Sequence, residues 1–211
     1  MTTSAVPDAA VHGVARLVLA TPRLRLVAGG PALAGAVCRF LQRNRAHFRP
    51  WDPPLAPDFL TLAAQMRRLQ QGLVAFQSAS AFRYWLLPAR DVPESDGGIT
   101  EVLGSIHFSQ VTRGAFHNAT LGYALDQAHV GQGLMTEALQ AGLAEMFSPR
   151  VNLHRVQAAW RPENHRSGAV LARLGFRPEG LARDYLFIDG AWRDHQLAAL
   201  TNPDFVAPAD W

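Results

Sequence analysis

The sequence predicts a single α/β domain, and three observations carry that reading. Segments with the two-residue alternation of strands interchange with segments at helical spacing, in the order strand, two helices, three strands, helix, strand, helix, two strands. A tight glycine turn, Gly131-Gln132-Gly133, links a strand to a helix. The chain is 211 residues long and 48% hydrophobic, enough to bury one core and too apolar for disorder. No internal repeat and no linker divides it. The count comes to about seven strands and about four helices.

The elements follow in order. Residues 1–20 are small and apolar without a clear period, and are expected to form a loosely ordered extension before the domain at 21–205, with 206–211 as a tail. Residues 21–27 alternate apolar and charged side chains, as a half-buried strand does. From 31 to about 45, Leu33, Val37, Phe40 and Leu41 share one helical stripe. A Pro-rich loop carrying Phe48 and Trp51 follows. Residues 58–77 form a second helical pattern through Phe59, Leu62, Met66, Leu69 and Leu73. A short strand is expected at 82–87, a polar loop at 91–98, and strands at 101–111 and 116–125 joined as a hairpin by Arg113-Gly114. The helix after the glycine turn runs to about 147. A strand at 154–160 precedes a helix at 164–174 that Gly175 stops. Asp189-Gly190 joins two last strands, 183–188 and 191–200, in a tight turn.

The glycine turn is the segment with a chemical mechanism. Gly131 and Gly133 allow a sharp turn and leave the backbone open to a ligand. The amides of Gly133, Leu134, Met135 and Thr136 would be the unpaired donors of a helix's first turn. Together with the positive end of the helix dipole they suit a pyrophosphate. Gly-Lys-Ser/Thr is lacking, which speaks against a nucleoside triphosphatase. No Gly-x-Gly-x-x-Gly fingerprint follows a first strand, which speaks against a nicotinamide cofactor.

Composition excludes further classes. Net charge is +3, and all twenty basic residues are Arg, an excess too small and too dispersed to indicate nucleic-acid binding. Cys38 is the one cysteine, so no internal disulfide forms; beside the first helix's apolar stripe it reads as packing. The eight His show no metal-ligand spacing, and no metal is expected. No apolar run reaches the roughly 20 residues of a membrane span, and the N-terminus lacks a signal-peptide pattern. A cytoplasmic protein is the expectation.

The stretches FRPWDP (48–53), RGAFHNATLGY (113–123), GQGLMTEAL (131–139), NHRSGAVLARLGF (164–176) and DYLFIDGAWRDH (184–195) give the chain its resemblance. It resembles the Gcn5-related N-acetyltransferase (GNAT) superfamily, and within it the RimJ/RimL-type ribosomal-protein-alanine N-acetyltransferases, over about residues 21–205. That implies a central mixed, mostly antiparallel sheet and acetyl-CoA as cosubstrate. One departure stands out: Val130 occupies the place where the superfamily loop usually has Gln or Arg, and Met135 takes the last place. Because the loop holds phosphate through backbone amides, that costs one contact and leaves the site.

The resemblance implies direct attack of a primary amine on the thioester. A neutral amine, a stabilised oxyanion and a proton for the thiolate are then required. An α-amine has a pKa of about 8 against about 10.4 for lysine, so a weakly basic site favours an α-amine by about 3 kcal/mol. Ser167, of the Asn-x-x-Ser motif, is expected near the sulfur, with helix capping as its competing role. Asn164 is expected on the pantetheine arm, and Leu125 and Val130, with Gly131, Gln132, Gly133, Leu134, Met135 and Thr136, complete the cofactor set. The base is expected to be His117, which shares strand parity with Tyr123; Glu101 and His107 are alternatives. Phe48, Trp51, Arg113, Tyr123 and Tyr185 are candidates for the acceptor groove. Asp194-His195 is rejected as a dyad, because strand neighbours point to opposite faces. The expected acceptor is the N-terminal alanine of a ribosomal protein, with ribosome association a possible corollary. A small amine, amino acid or drug is the alternative, and a non-catalytic binder of CoA or the ribosome the third reading. Oligomeric state is not legible.

Overall fold

The computed structural model describes residues 14–89 and 101–208; the polar loop expected at 91–98 lies outside them. Eight strands form one sheet in the order β1-β2-β3-β4-β5-β6-β8-β7. They are β1 (Val18–Ala20), β2 (Leu24–Val27), β3 (Phe82–Pro88), β4 (Gly104–Thr112), β5 (Asn118–Leu125), β6 (Arg155–Trp160), β7 (Arg177–Ile188) and β8 (Ala191–Thr201). Every pairing is antiparallel except β5 with β6. Five helices accompany them: α1 (Ala34–Arg43), the single turn α2 (Arg45–Phe48), α3 (Leu62–Gln77), α4 (Leu134–Phe147) and α5 (His165–Arg173). None of the described helices is long and apolar enough to cross a membrane.

The strand pattern puts two different cores on the two faces of the sheet. In β3, Phe82, Tyr84 and Leu86 pack with Ile106 and Phe108 of β4, Leu121 of β5, and Leu139 and Met146 of α4. The intervening Trp85 and Leu87 turn to the other face, against Val37, Phe40 and Leu69 of α1 and α3. Strands buried on both faces read as apolar runs, which is why 82–87 lacks clean alternation apart from Arg83.

Several boundaries differ from the sequence expectation for local physical reasons. Residues 14–20 are fastened rather than loose: Leu19 and Ala15 are buried, the Arg16 amide donates to Glu145 Oε1 at 2.6 Å, and 18–20 pair with β2 as an eighth strand. The helix expected over 31–45 breaks into a 3₁₀ turn at Pro31–Leu33, then α1 and α2, because Asn44 leaves helical geometry. The helix expected from 58 starts at Leu62, where the Thr61 hydroxyl accepts from the Ala64 amide at 3.2 Å. Strand β7 begins six residues before its expected start (183 − 177), the register shifting around Gly180, whose φ is +147°.

A buried polar knot ties α1 to the chain leaving β5. Asp126 accepts from the Arg43 guanidinium and from Asn44 Nδ2 (3.1 Å), while Asn44 Oδ1 accepts from the Gln127 amide (2.9 Å). Burial alone would raise the Asp126 pKa, but the bonds from Asn44, Ala128 and Arg43 outweigh it and hold the carboxyl below its usual range. A lowered folded-state pKa stabilises the fold above the unfolded carboxyl value of about 3.9, and that contribution is lost as pH falls through the folded value. Asp126→Ala leaves the partly exposed Arg43 guanidinium and the buried Asn44 amide without their shared carboxylate and is expected to cost about 2 kcal/mol by urea denaturation, with the wild-type excess in stability shrinking below about pH 4.

Candidate active site

The site is built where two parallel strands part. β5 pairs β6 only from Asn118–Arg155 to Leu121–Ala158. Beyond that, 122–125 of β5 pair β4 alone, and Ala159 and Trp160 of β6 pair β8 alone. One backbone edge of β5 is therefore left without a strand partner across the gap.

At the end of β5 the chain enters the glycine loop. Gly131 (φ +85°) and Gly133 (φ +78°) are both left-handed, and an added Cβ at Gly131 would meet nothing. Leu134 and Met135 bury their side chains in the core, which anchors the first turn of α4. The first backbone bond into that helix is Glu137 N–H to the Gly133 carbonyl, so the amides of Leu134, Met135 and Thr136 precede it. Gln132 stays exposed, and its carbonyl accepts from Arg23 Nη1 at 2.8 Å. Arg23 Nε also donates to Glu137 Oε2 at 2.6 Å, and the Thr21 hydroxyl to Oε1 at 2.6 Å. Burial raises the Glu137 carboxyl, yet these bonds outweigh it and keep it below its usual range. The loop is thus braced from β2 with its amides clear, a cradle that fits a pyrophosphate.

Across the gap lies the start of α5. Asn164 is its N-cap, with Oδ1 accepting from the Ser167 amide at 3.1 Å. The Ser167 hydroxyl takes no part in that cap; it lies 2.6 Å from the hydroxyl of Tyr123. Tyr123 also donates to the Ser167 carbonyl at 3.1 Å. Gly168 lets the helix sit directly on β6, since a Cβ there would come within 2.9 Å of Trp160 Nε1. Burial pushes the Tyr123 phenol up to about 12, so it stays protonated.

The opposite side of the sheet holds a cleft of about 1170 Å³. Its floor is the face of β3–β5 carrying Arg83, Trp85, Ser105, His107, Gly122 and Ala124; its walls are α1, α3, the Pro-rich loop and the turn Asp189-Gly190. Gly122, the first residue past the split, lines the cleft floor and has no side chain and open space around it, so the floor reaches the edge of the gap there. Asp52, an exposed residue of the loop, lines the cleft, whose surrounding walls push its carboxyl up to about 6 by desolvation. The loop is fastened to the end of β6: Arg161 donates to the Pro50 carbonyl at 2.6 Å and lies over the Trp51 ring at 5.5 Å.

Several expected site residues fall elsewhere. His117 precedes β5 at the end away from the loop, about 20 Å along the strand from Tyr123. It is buried, its Nδ1 bonds the Gly114 carbonyl, and its ring packs on Phe205, so it frames the hairpin and does not reach the site. Arg113 lies at the same end and donates to the Val151 carbonyl at 2.6 Å. Glu101 precedes β4 and faces Arg43 at 3.8 Å. His107 does line the cleft, but burial, then Arg83 and Arg68, depress it to about 3, and its Nδ1 accepts from Arg83; it is no base. Tyr185 is on the exposed hairpin against His195, and Trp51 is beside the cleft rather than in its lining; Phe48 and Tyr123 are in it. Asp194 and His195 do diverge, one to Arg183 and the other to the Arg193 carbonyl.

Asp52 and Arg83 line the cleft and were not singled out by sequence reasoning. Arg83 left one trace, a lone charge in the apolar strand Phe82–Pro88. Asp52 stood within the FRPWDP stretch at 48–53, with no pattern that gave it a role. Among the described residues, no group of three His, Cys, Asp or Glu side chains is placed to hold a metal.

A loop of amides for a diphosphate, a split sheet beside it and a hydroxyl across the split define an acetyl-CoA-dependent N-acetyltransferase. The family of the acetyltransferase (GNAT) domain matches residues 23–177, and the chain belongs to it. It is 40% identical over 167 residues to the [ribosomal protein uS5]-alanine N-acetyltransferase of Escherichia coli (strain K12), covering 79% of this chain and 81% of that one. The crystal structure of a ribosomal-protein-S5-alanine acetyltransferase from Vibrio fischeri superposes with a TM-score of 0.83 at 31% identity, over 91% of this chain and all of the other (100%). RimJ of Mycobacterium smegmatis in complex with CoA-disulfide gives a TM-score of 0.75 at 33% identity, over 88% and 85%.

Replacing Gly131 by Ala imposes a left-handed backbone on a residue with a Cβ, a strain of about 1–2 kcal/mol, and alters the cradle. The KM for acetyl-CoA in Gly131→Ala is expected to rise about tenfold or more in a thiol-release assay.

Proposed function

We propose that this protein acetylates the N-terminal α-amine, that of alanine, of a ribosomal protein in the cytoplasm. The observation that carries this reading is the meeting, at Gly122, of the split sheet with a large cleft on its other face. The activity of the Escherichia coli and Vibrio relatives on an S5-type protein supports the choice of acceptor. The cleft is open and long-walled, which suits an extended peptide end threaded past Phe48 better than a small enclosed amine.

In this mechanism the glycine-loop amides and the first turn of α4 hold the CoA pyrophosphate, and the unpaired edge of β5 receives the pantetheine arm beside Asn164. The α-amine enters from the cleft. Its nitrogen bonds to the thioester carbon, the carbon–sulfur bond breaks, and the amine's proton leaves to Asp52. The departing thiolate takes a proton from the Ser167–Tyr123 hydroxyl pair, whose 2.6 Å contact lets one oxygen resupply the other. A backbone amide near Leu125 meets the oxyanion. An Asp with a pKa of about 6 suits an α-amine of about 8 far better than a lysine of about 10.4.

Incubation with acetyl-CoA and an Ala-starting peptide is expected to release thiol and give an N-acetylated product by mass spectrometry. Release with small amines alone would reverse the choice of acceptor. Ser167→Ala and Tyr123→Phe are each expected to lower kcat by about 10²-fold while the KM for acetyl-CoA changes little. Because Asp52 must be ionised to accept a proton, kcat/KM should rise through about pH 6. Asp52→Asn should remove that limb and lower the plateau. Arg45, Arg49, Arg68, Arg83, His107 and Asp189 face the same cleft. A limb unchanged in Asp52→Asn would assign the base to another group.

A further inference from the structure

The cleft floor carries an arrangement that acetyl transfer itself does not use. Arg83 rises from the start of β3, and Arg68 reaches in from α3. Among the described residues neither guanidinium has a carboxylate within ion-pair distance. The nearby acids are committed or separate: Asp189 faces Arg49 at 3.3 Å, and Asp52 is in the loop. Arg68 lies over the Phe59 ring at 4.4 Å and Arg83 over Trp85 at 5.7 Å.

The hydrogen-bond partner of the Arg83 side chain among the described residues is neutral. Its Nη2 donates to His107 Nδ1 at 2.9 Å, which requires the Nε2–H tautomer. His107 therefore orients the guanidinium against the sheet without cancelling its charge. Burial, with repulsion from Arg68, lowers Arg83 to about 10, so it remains cationic at neutral pH. Two arginines in a concave wall with donors to spare, and with no carboxylate paired to them among the described residues, are complementary to an anion arriving from outside.

We infer that Arg68 and Arg83 form a subsite for a carboxylate on the acceptor peptide, carried by an Asp or Glu side chain two to four residues from the α-amine. This rests on the acceptor reading above. The spacing follows from the sheet: Arg83 pairs with His107, and His107 with Gly122, where the amine meets the gap. Two strand spacings are about 10 Å, and an extended peptide covers that in about three residues. A small amine bearing a carboxylate or phosphate offers related chemistry, and the test separates the two sources.

Ala-starting peptides with Glu or Gln at position 2, 3 or 4 are compared by kcat/KM. The wild type is expected to prefer Glu about 10- to 100-fold at one of these positions, the effect of a charge-assisted hydrogen bond. In Arg83→Gln that ratio should collapse towards one, and Arg83→Lys should keep part of it. Arg68→Gln, on the exposed side of α3, is the second variant should Arg83→Gln fail to fold, which its melting curve reports. A wild-type ratio within about threefold at all three positions, or a full ratio persisting in folded Arg83→Gln, overturns the subsite. Transfer only to β-alanine or phosphoethanolamine overturns the peptide source. Calorimetric binding of the N-acetylated Glu and Gln peptides reads the subsite without turnover. Peptides that bind with the Glu preference but are never acetylated would sink the acceptor reading and keep the subsite, whereas no Glu preference in binding sinks the subsite itself.

Discussion

The parting of β5 from β6 is the constraint on which the rest of the site depends. A parallel pair normally continues until one strand ends, because each unpaired peptide group forfeits a hydrogen bond. Here pairing stops at Leu121 and Ala158 while β5 still has four residues to run, from 122 to 125. The outer edges compensate: β4 holds β5 to Leu125, and β8 holds β6 to Trp160. The gap is kept from collapsing by Tyr123 and Ser167, whose hydroxyls span it, and by α5 seated on Trp160 through Gly168.

From that gap the two substrates receive separate approaches. The donor side is made of backbone: left-handed glycines, the first amides of α4, and a bare strand edge. Side chains contribute there mainly as braces, as Arg23 does for Glu137 and the Gln132 carbonyl. The cleft, the acceptor side in the proposed reading, is made of side chains with shifted ionisation. Asp52 is raised, His107 is neutral, and Arg83 is cationic without a carboxylate partner among the described residues. Shifted ionisation gathered in one cleft is the pattern that supports the acceptor reading proposed above.

The knot of Arg43, Asn44 and Asp126 joins the two sides. It fixes the end of α1, and with it the cleft wall, to the chain that leaves β5 for the glycine loop. The cleft wall and the start of the glycine loop are thereby held by one corner, which a loose loop between β5 and α4 would not achieve.

The sequence by itself determined the order of elements, the glycine loop and the Asn164–Ser167 motif. These are local: turn geometry, helix capping and periodicity act within a few residues. It also determined the acetyltransferase family through those same stretches. Tertiary structure decided everything that needed two distant segments. Strand parity placed His117 and Tyr123 on one face, but parity says nothing of distance along the strand, and His117 stands at the wrong end. Residues 14–20 looked featureless because edge pairing and Glu145 hold them, and neither is visible nearby in the chain. That the Ser167 hydroxyl meets Tyr123, 44 residues away, is likewise invisible in the motif around it. Asp52 and Arg83 acquired their chemistry from the cleft walls, because desolvation and unmet charge belong to a surrounding and not to a residue.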